Sequence, residues 1–128
     1  MPQASGTFEV KLTPQNEQGS DAALGRLLID KQFSGLLEGV SKGQMLTATT
    51  EVKESAGYVA IEKFSGKLEG KTGTFILQHA GVMNRGAPGL IINVVPDSGT
   101  DHLKGIAGHM SIQIADGKHS YIFDYSIS

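Results

Sequence analysis

The chain has no cysteine, which excludes disulfides and thiolate metal sites. It has no long apolar run, and nothing approaches the length of a membrane-spanning helix. Charged residues are few, at 19%, and the formal net charge is -2. Without a basic face, neither nucleic acid nor an anionic membrane is an expected partner. Met1 to Val10 lacks a basic start followed by an apolar stretch, so no secretory signal is visible and a cytoplasmic location is expected. The string Gly81 to Gly89 carries glycines but no phosphate-loop pattern. No serine sits in a recognisable nucleophile context.

What is present points to β-structure. A chain of 128 residues fits one domain and can bury one core. Seventeen glycines suit many tight turns, and a hydrophobic fraction of 39% is too high for disorder. One heptapeptide occurs twice with a single change, FSGLLEG at Phe33–Gly39 and FSGKLEG at Phe64–Gly70. Both copies are expected to end strands at turns. The repeat speaks to architecture and names no reaction.

Alternation of apolar and polar residues gives eight candidate strands. The first places Phe8, Val10 and Leu12 on one face. A polar loop follows at Pro14–Asp21. The second runs from about Gly25 to Glu38; Leu24, Leu27 and Leu28 have helical spacing and Ser20 or Asp21 could cap a helix, but Gly25 favours strand. The remaining candidates are Gly43–Lys53, Gly57–Glu69, Gly73–Met83, Gly89–Pro96, Leu103–Ala115 and Lys118–Ile127. Asn84–Pro88 reads as a flexible loop and Asp97–Asp101 as a turn. Short connections imply an antiparallel meander, and a sheet of this size tends to curl and close.

Two hairpins can be registered. Asp116-Gly117 as a two-residue turn pairs Ile112 with Tyr121, Met110 with Phe123 and His109 with Asp124. The two faces then separate cleanly into apolar and polar. A turn at Lys71-Thr72 pairs Phe64 with His79, and a slip of two residues puts Glu62 opposite His79 instead. Both registers hold Glu62 and His79 on the apolar face with Phe64, Leu68, Phe75 and Leu77.

Three segments carry a resemblance: FSGKLEGKTGTFILQHAG (Phe64–Gly81), VVPDSGTDHLKGIAG (Val94–Gly108) and YIFDYSI (Tyr121–Ile127). Together they resemble a bacterial domain-of-unknown-function family (DUF3224-like) whose members look like allene oxide cyclase barrels. SGTDHLKGIAG is also similar to the GTG-x-F-x-x-A-x-G corner of dirigent and allene oxide cyclase proteins, with Asp101 in place of the last glycine of GTG. The resemblance implies an all-β fold, a closed eight-stranded antiparallel barrel spanning residues 1–128. It implies no reaction. Allene oxide cyclases mould a fatty-acid-derived substrate in an apolar cavity and dirigent proteins steer phenoxy radicals, but no catalytic residue of either maps onto a motif here.

Glu62 and His79 are the candidate catalytic residues, an ionisable pair expected on an apolar face. A carboxylate beside an imidazole can orient the ring and tune its pKa. Equally, such a pair can serve only to pin hairpin register. Tyr58, Tyr121 and Tyr125 combine apolar bodies with hydroxyl tips, to line a cavity or to cap the core. His102, His109 and His119 form no HxH or HxxxH element, so no metal is expected, and no cofactor.

Three functions remain open. The favoured one is a barrel that binds a small, mainly apolar molecule. Its walls would be Phe64, Phe75, Leu77 and Phe123, with polar tips from Tyr58, His79, Tyr121 and Tyr125. The alternatives are an isomerase or cyclase using Glu62 and His79, and a structural or interaction module with a filled barrel. Strands apolar on both faces add a further expectation. Ile76, Ile91 and Val95 form a second apolar face, to be covered in a homo-oligomer, a dimer or a trimer.

Overall fold

A computed structural model describes residues 2–15 and 21–128. Eight strands run in chain order: β1 (Gln3–Gln15), β2 (Leu24–Gly35), β3 (Leu37–Thr49), β4 (Ala56–Leu68), β5 (Lys71–Asn84), β6 (Ala87–Val94), β7 (Ile106–Ala115) and β8 (Lys118–Ile127). Each pairs antiparallel with the next, and β8 pairs with β1, so the sheet closes into a barrel. One 3₁₀ turn, Asp101–Leu103, precedes β7. Among the described residues no helix is long and apolar enough to cross a membrane.

The strand alternation fixes what lies inside. Five phenylalanines and two tyrosines meet in a continuous chain within the barrel. Ring centroids are 5.5 Å apart for Phe8–Phe33, 5.8 Å for Phe33–Phe64, 5.0 Å for Phe64–Phe75 and 5.6 Å for Phe75–Phe123. Tyr125 stacks on Phe123 and Tyr121 meets Phe33 edge-on. Each such buried ring stabilises the fold by roughly 1.5–3 kcal/mol. Leu37, Leu68 and Leu103 are buried beneath them and close this end, which we term the base. The opposite end, where Val10, Leu27, Met45, Thr47, Tyr58 and Ile112 are half-buried, is the mouth.

Several boundaries differ from the sequence reading. The Asp116-Gly117 hairpin and its register are as expected, with Met110 opposite Phe123 and His109 opposite Asp124. The β4–β5 turn is instead Glu69-Gly70, with Leu68 opposite Lys71. Phe64 therefore pairs with Phe75, and Glu62 with Leu77. Both expected registers were displaced by an even number of residues, so the inward set survives. Glu69 and Gly70 have φ of 48° and 84°, the positive pair that a type I′ turn demands, with glutamate where asparagine or aspartate is usual. Asn84–Pro88 is no flexible loop. Arg85-Gly86 makes a similar tight turn, with φ of 50° and 92°.

The repeated heptapeptide has two structures. FSGKLEG runs along β4 into its turn, as expected. FSGLLEG is itself the β2–β3 corner, with Leu36 at the bend, so the expected strands Gly25–Glu38 and Gly43–Lys53 become Leu24–Gly35 and Leu37–Thr49. Asp21 Oδ1 accepts from the Ala23 amide and starts a turn before β2, not a helix. Of the loop expected at Pro14–Asp21, Pro14 and Gln15 belong to β1. Ser20, the other candidate cap, lies outside the described residues. The 3₁₀ turn Asp101–Leu103 runs from the end of the expected Asp97–Asp101 turn into Leu103, the expected start of the seventh strand, which begins instead at Ile106. Asp101 there has φ 53°, a conformation glycine takes freely and aspartate tolerates.

The seam between β6 and β7 is the weakest closure. Among the described residues its only bridge is Asn93–His109.

Candidate functional site

Above the aromatic layer, four strands each contribute one polar side chain to the interior. They are Lys31 from β2, Ser41 from β3, Glu62 from β4 and His79 from β5. All four are buried, Glu62 and Ser41 completely. Glu62 is the hub. Its Oε2 accepts from Lys31 Nζ at 2.7 Å, and its Oε1 accepts from Ser41 Oγ at 2.8 Å. His79 Nε2 lies 2.8 Å from the same Oε2. Lys31 also sits over the rings of Phe8 and Phe33, 5.1 and 5.8 Å from their centroids. Cation–π attraction thus adds to its ion pair.

Burial by itself would push the Glu62 carboxyl up. The neighbouring His79 and Lys31 more than offset this and bring it down to about 2, so Glu62 is a carboxylate at neutral pH. Each carboxylate oxygen accepts one hydrogen bond. His79 does not have a full set of acceptors. Its Nε2 approaches Glu62 off the direction of a well-aligned hydrogen bond. It is the one buried side-chain nitrogen or oxygen left without such a bond among the described residues. A buried polar atom in that condition calls for an explanation.

The network continues toward the mouth. The Tyr58 hydroxyl lies 3.4 Å from His79 Nδ1, a long contact at the edge of hydrogen bonding. The Tyr58 ring lies across Gly81, its register partner, where an added Cβ would meet ring carbon Cε1 at 2.4 Å. Only glycine at 81 leaves room for this placement. Burial, and then the charge of Glu62, push the Tyr58 phenol above its ordinary value. Phenol, imidazole and carboxylate thus follow one another from the half-open mouth to the closed interior.

The residues expected to grip a ligand divide into two groups. Tyr58 and His79 stand in this network. Phe64, Phe75, Leu77, Tyr121, Phe123 and Tyr125 lie in the buried core, with rings packed on rings. The Tyr121 hydroxyl accepts from the Leu37 amide at 3.0 Å and faces the Ser34 and Leu37 carbonyls, holding the β2–β3 corner. The Tyr125 hydroxyl donates to the Glu69 carboxylate at the β4–β5 turn. Lys31 and Ser41 were missed from the sequence. Lys31 shares the inward parity of Ile29 and Phe33, a signal that was available. Ser41 stands among Gly39, Gly43 and Met45, where alternation says little. His109 pairs with Asp124 on the outer surface at 3.2 Å. Among the described residues no three His, Asp or Glu side chains gather as a metal site requires.

A broad concavity lies elsewhere. It lies mainly on the outer surface of β3–β6, about 670 Å³ and open to solvent, with Leu46, Val59, Val82 and Ile91 on its walls. The expected second apolar face is therefore displaced toward the mouth. Ile91 belongs to it, whereas Ile76 and Val95 are half-buried beside the loop that follows β6.

No curated protein matches the chain. A solved structure described as a protein of unknown function from the DUF3224 family of Shewanella oneidensis MR-1 is 47% identical. It superposes with a TM-score of 0.95 over 100% of this chain and 98% of that one. The family model for proteins of unknown function (DUF3224) matches residues 4–125. The chain belongs to the DUF3224 family.

Proposed function

We propose that the barrel binds a small molecule with a mainly apolar body and one hydrogen-bonding group, seated in the mouth over Tyr58 and His79. The observation that supports this is the incomplete bonding of His79 Nε2 in a network whose other buried members are satisfied. Val10, Leu27, Met45 and Ile112 line the mouth and suit an apolar body. The ligand's polar group would meet the Tyr58 hydroxyl and draw the imidazole into alignment. An allene oxide cyclase-like barrel, which holds an apolar substrate, fits the same reading. The aromatic chain fills the base, so the ligand is shallow and small.

Native mass spectrometry of gently purified protein is the test. A co-purified molecule, or binding from a library of small carboxylic acids, phenols and ketones that Tyr58→Phe weakens several-fold, is the expected result. No occupancy and no library binding would leave a filled structural module as the better reading.

The order Tyr58–His79–Glu62 favours a second reading, an isomerase or cyclase. His79 would take a proton from one position of the substrate and return it at another, with Glu62 stabilising the imidazolium. His79→Gln separates the two: a binder keeps most of its affinity, whereas an acid–base enzyme loses turnover and keeps substrate binding.

A further inference from the structure

The outer surface of β3–β6 has the anatomy of a contact. Leu46, Val59, Ala80 and Ile91 are register partners in turn, so they form one row across four strands. A second row, nearer the mouth, runs from Leu24 through Ala48, Gly57 and Val82 to Gly89. The large side chains in these rows are far more exposed than apolar residues normally are: Ile91 62%, Val82 61%, Leu24 60%, Leu46 55% and Val59 52%. The alanines and glycines between them form a floor, and the branched side chains form walls.

Polarity changes away from this centre in an ordered way. The next row toward the base holds Gln44, Ile61, Gln78 and Asn93, an isoleucine among three polar but uncharged amides. Charge appears one row further, at Lys42 and Lys63. On β2 the first row ends at Arg26, whose guanidinium is hydrogen-bonded to Gln44 Oε1 at 2.9 Å. An apolar centre with an uncharged amide margin and charges outside it is how protein–protein contacts are built.

We infer that this face docks a second copy of the chain, in a two-fold homodimer centred on Val59 and Val82. Side chains of this size, each about half exposed, amount to several hundred Å² of apolar surface per copy. That is the size of the largest apolar patch on a protein surface, the kind that is often a contact site, and it would supply much of the roughly 800 Å² per partner of a standard interface. Two-fold symmetry requires a self-complementary patch, and here raised walls lie beside a low floor. A two-fold axis between the rows would set the wall of one copy over the floor of the other. The concavity is open to solvent along its length, and its near absence of charge suits an identical partner better than a charged one.

The concavity reaches the mouth, where Thr47, Tyr58 and Gly81 complete its lining. His79 is buried inside the barrel and takes no part in that lining, so His79→Gln leaves the mass unchanged. Light scattering across a dilution series, with circular dichroism on each variant, tests it. The wild type is expected at twice the chain mass at micromolar concentration. Val59→Lys is expected to be monomeric with an unchanged spectrum. Ile91→Lys gives the same readout should Val59→Lys misfold, and Ile122→Lys, on β8 and away from the face, stays dimeric. A wild type that is monomeric at high micromolar concentration overturns the inference, as do folded Val59→Lys and Ile91→Lys variants that keep the dimer mass. A monomer that binds an apolar dye, with binding abolished by Val59→Lys, also overturns it and assigns the face to a small apolar ligand.

Discussion

Glu62 and His79 touch without standing opposite each other. Their side chains meet at 2.8 Å, yet the register partner of Glu62 is Leu77 and that of His79 is Ala60. The contact is a diagonal across two strands, reached because both side chains are long and point inward. It ties β4 to β5 at mid-height, and Lys31 and Ser41 extend the tie to β2 and β3.

Removing the hub should therefore be costly. Glu62→Gln leaves Lys31 buried without its counter-charge, and breaking one partner of a buried pair typically costs about 3–5 kcal/mol. A urea titration should show a loss of this order, partly restored by adding Lys31→Met. An unchanged midpoint for Glu62→Gln would mean that water reaches Lys31 freely.

Acid should destabilise the fold through the same group. The Glu62 carboxyl lies at about 2 in the folded protein against an ordinary 4.5, so the unfolded chain binds its proton more readily. The stabilisation is complete above about pH 4.5 and is lost as the pH falls toward 2. The shift corresponds to about 3 kcal/mol. Urea midpoints of the wild type should fall over that window, and those of Glu62→Gln should fall less.

Gly66 is expected to tolerate no side chain. A Cβ there would stand 2.2 Å from the Glu38 carbonyl oxygen and 2.8 Å from Gly39 Cα, both backbone atoms of the adjacent strand. Gly66→Ala should cost at least about 3 kcal/mol or prevent folding, since backbone cannot yield as a side chain does. Gly57→Ala, made in the Val59→Lys background where the outer face is already disrupted, is the control. Its nearest neighbour would be the Gly81 carbonyl at 3.8 Å, and thermal melting should move little.

Tyr121→Phe should loosen the β2–β3 corner. It leaves the buried Leu37 amide without its acceptor, at a cost of about 1–3 kcal/mol. Hydrogen exchange should quicken most at Leu36 and Leu37, and loss of protection spread evenly over the barrel would argue against a local role.

That corner also shows where sequence reading reached its limit. Strands β4, β5 and β8 were legible because apolar residues alternate along them, and the β7–β8 turn because Asp-Gly prefers positive φ. The β2–β3 corner turns through Gly35, at φ 110°, and Leu36, yet the second copy of the heptapeptide carries the same Phe-Ser-Gly and runs straight on along β4. The corner's geometry is imposed by a tyrosine hydroxyl 84 positions away in the chain. Glu62 and His79 were legible as polar residues on an apolar face, and their contact survived a misplaced register because the error was even. Lys31 was hidden by composition. A charged residue beside Asp30 and Gln32 looks like surface until Ile29 and Phe33 are given the same parity. Where Leu90, Ile91 and Ile92 are all apolar, alternation put Ile91 outside and Ile92 inside, as the structure has them, but it also put Leu90 with Ile92, and Leu90 is exposed.

Strand β4 carries the buried network on one side and the exposed apolar surface on the other. Tyr58 and Glu62 alternate with Val59 and Ile61 along a single ribbon. The consequence concerns inheritance. Loss or gain of one codon within this strand would exchange its two sides, turning Glu62 outward and bringing Lys63 in beside Lys31. Two cations would then share a dry barrel with no carboxylate between them. The gene can vary the letters of this strand but not its length, and any drift in length must be absorbed in the loop between Thr49 and Ala56.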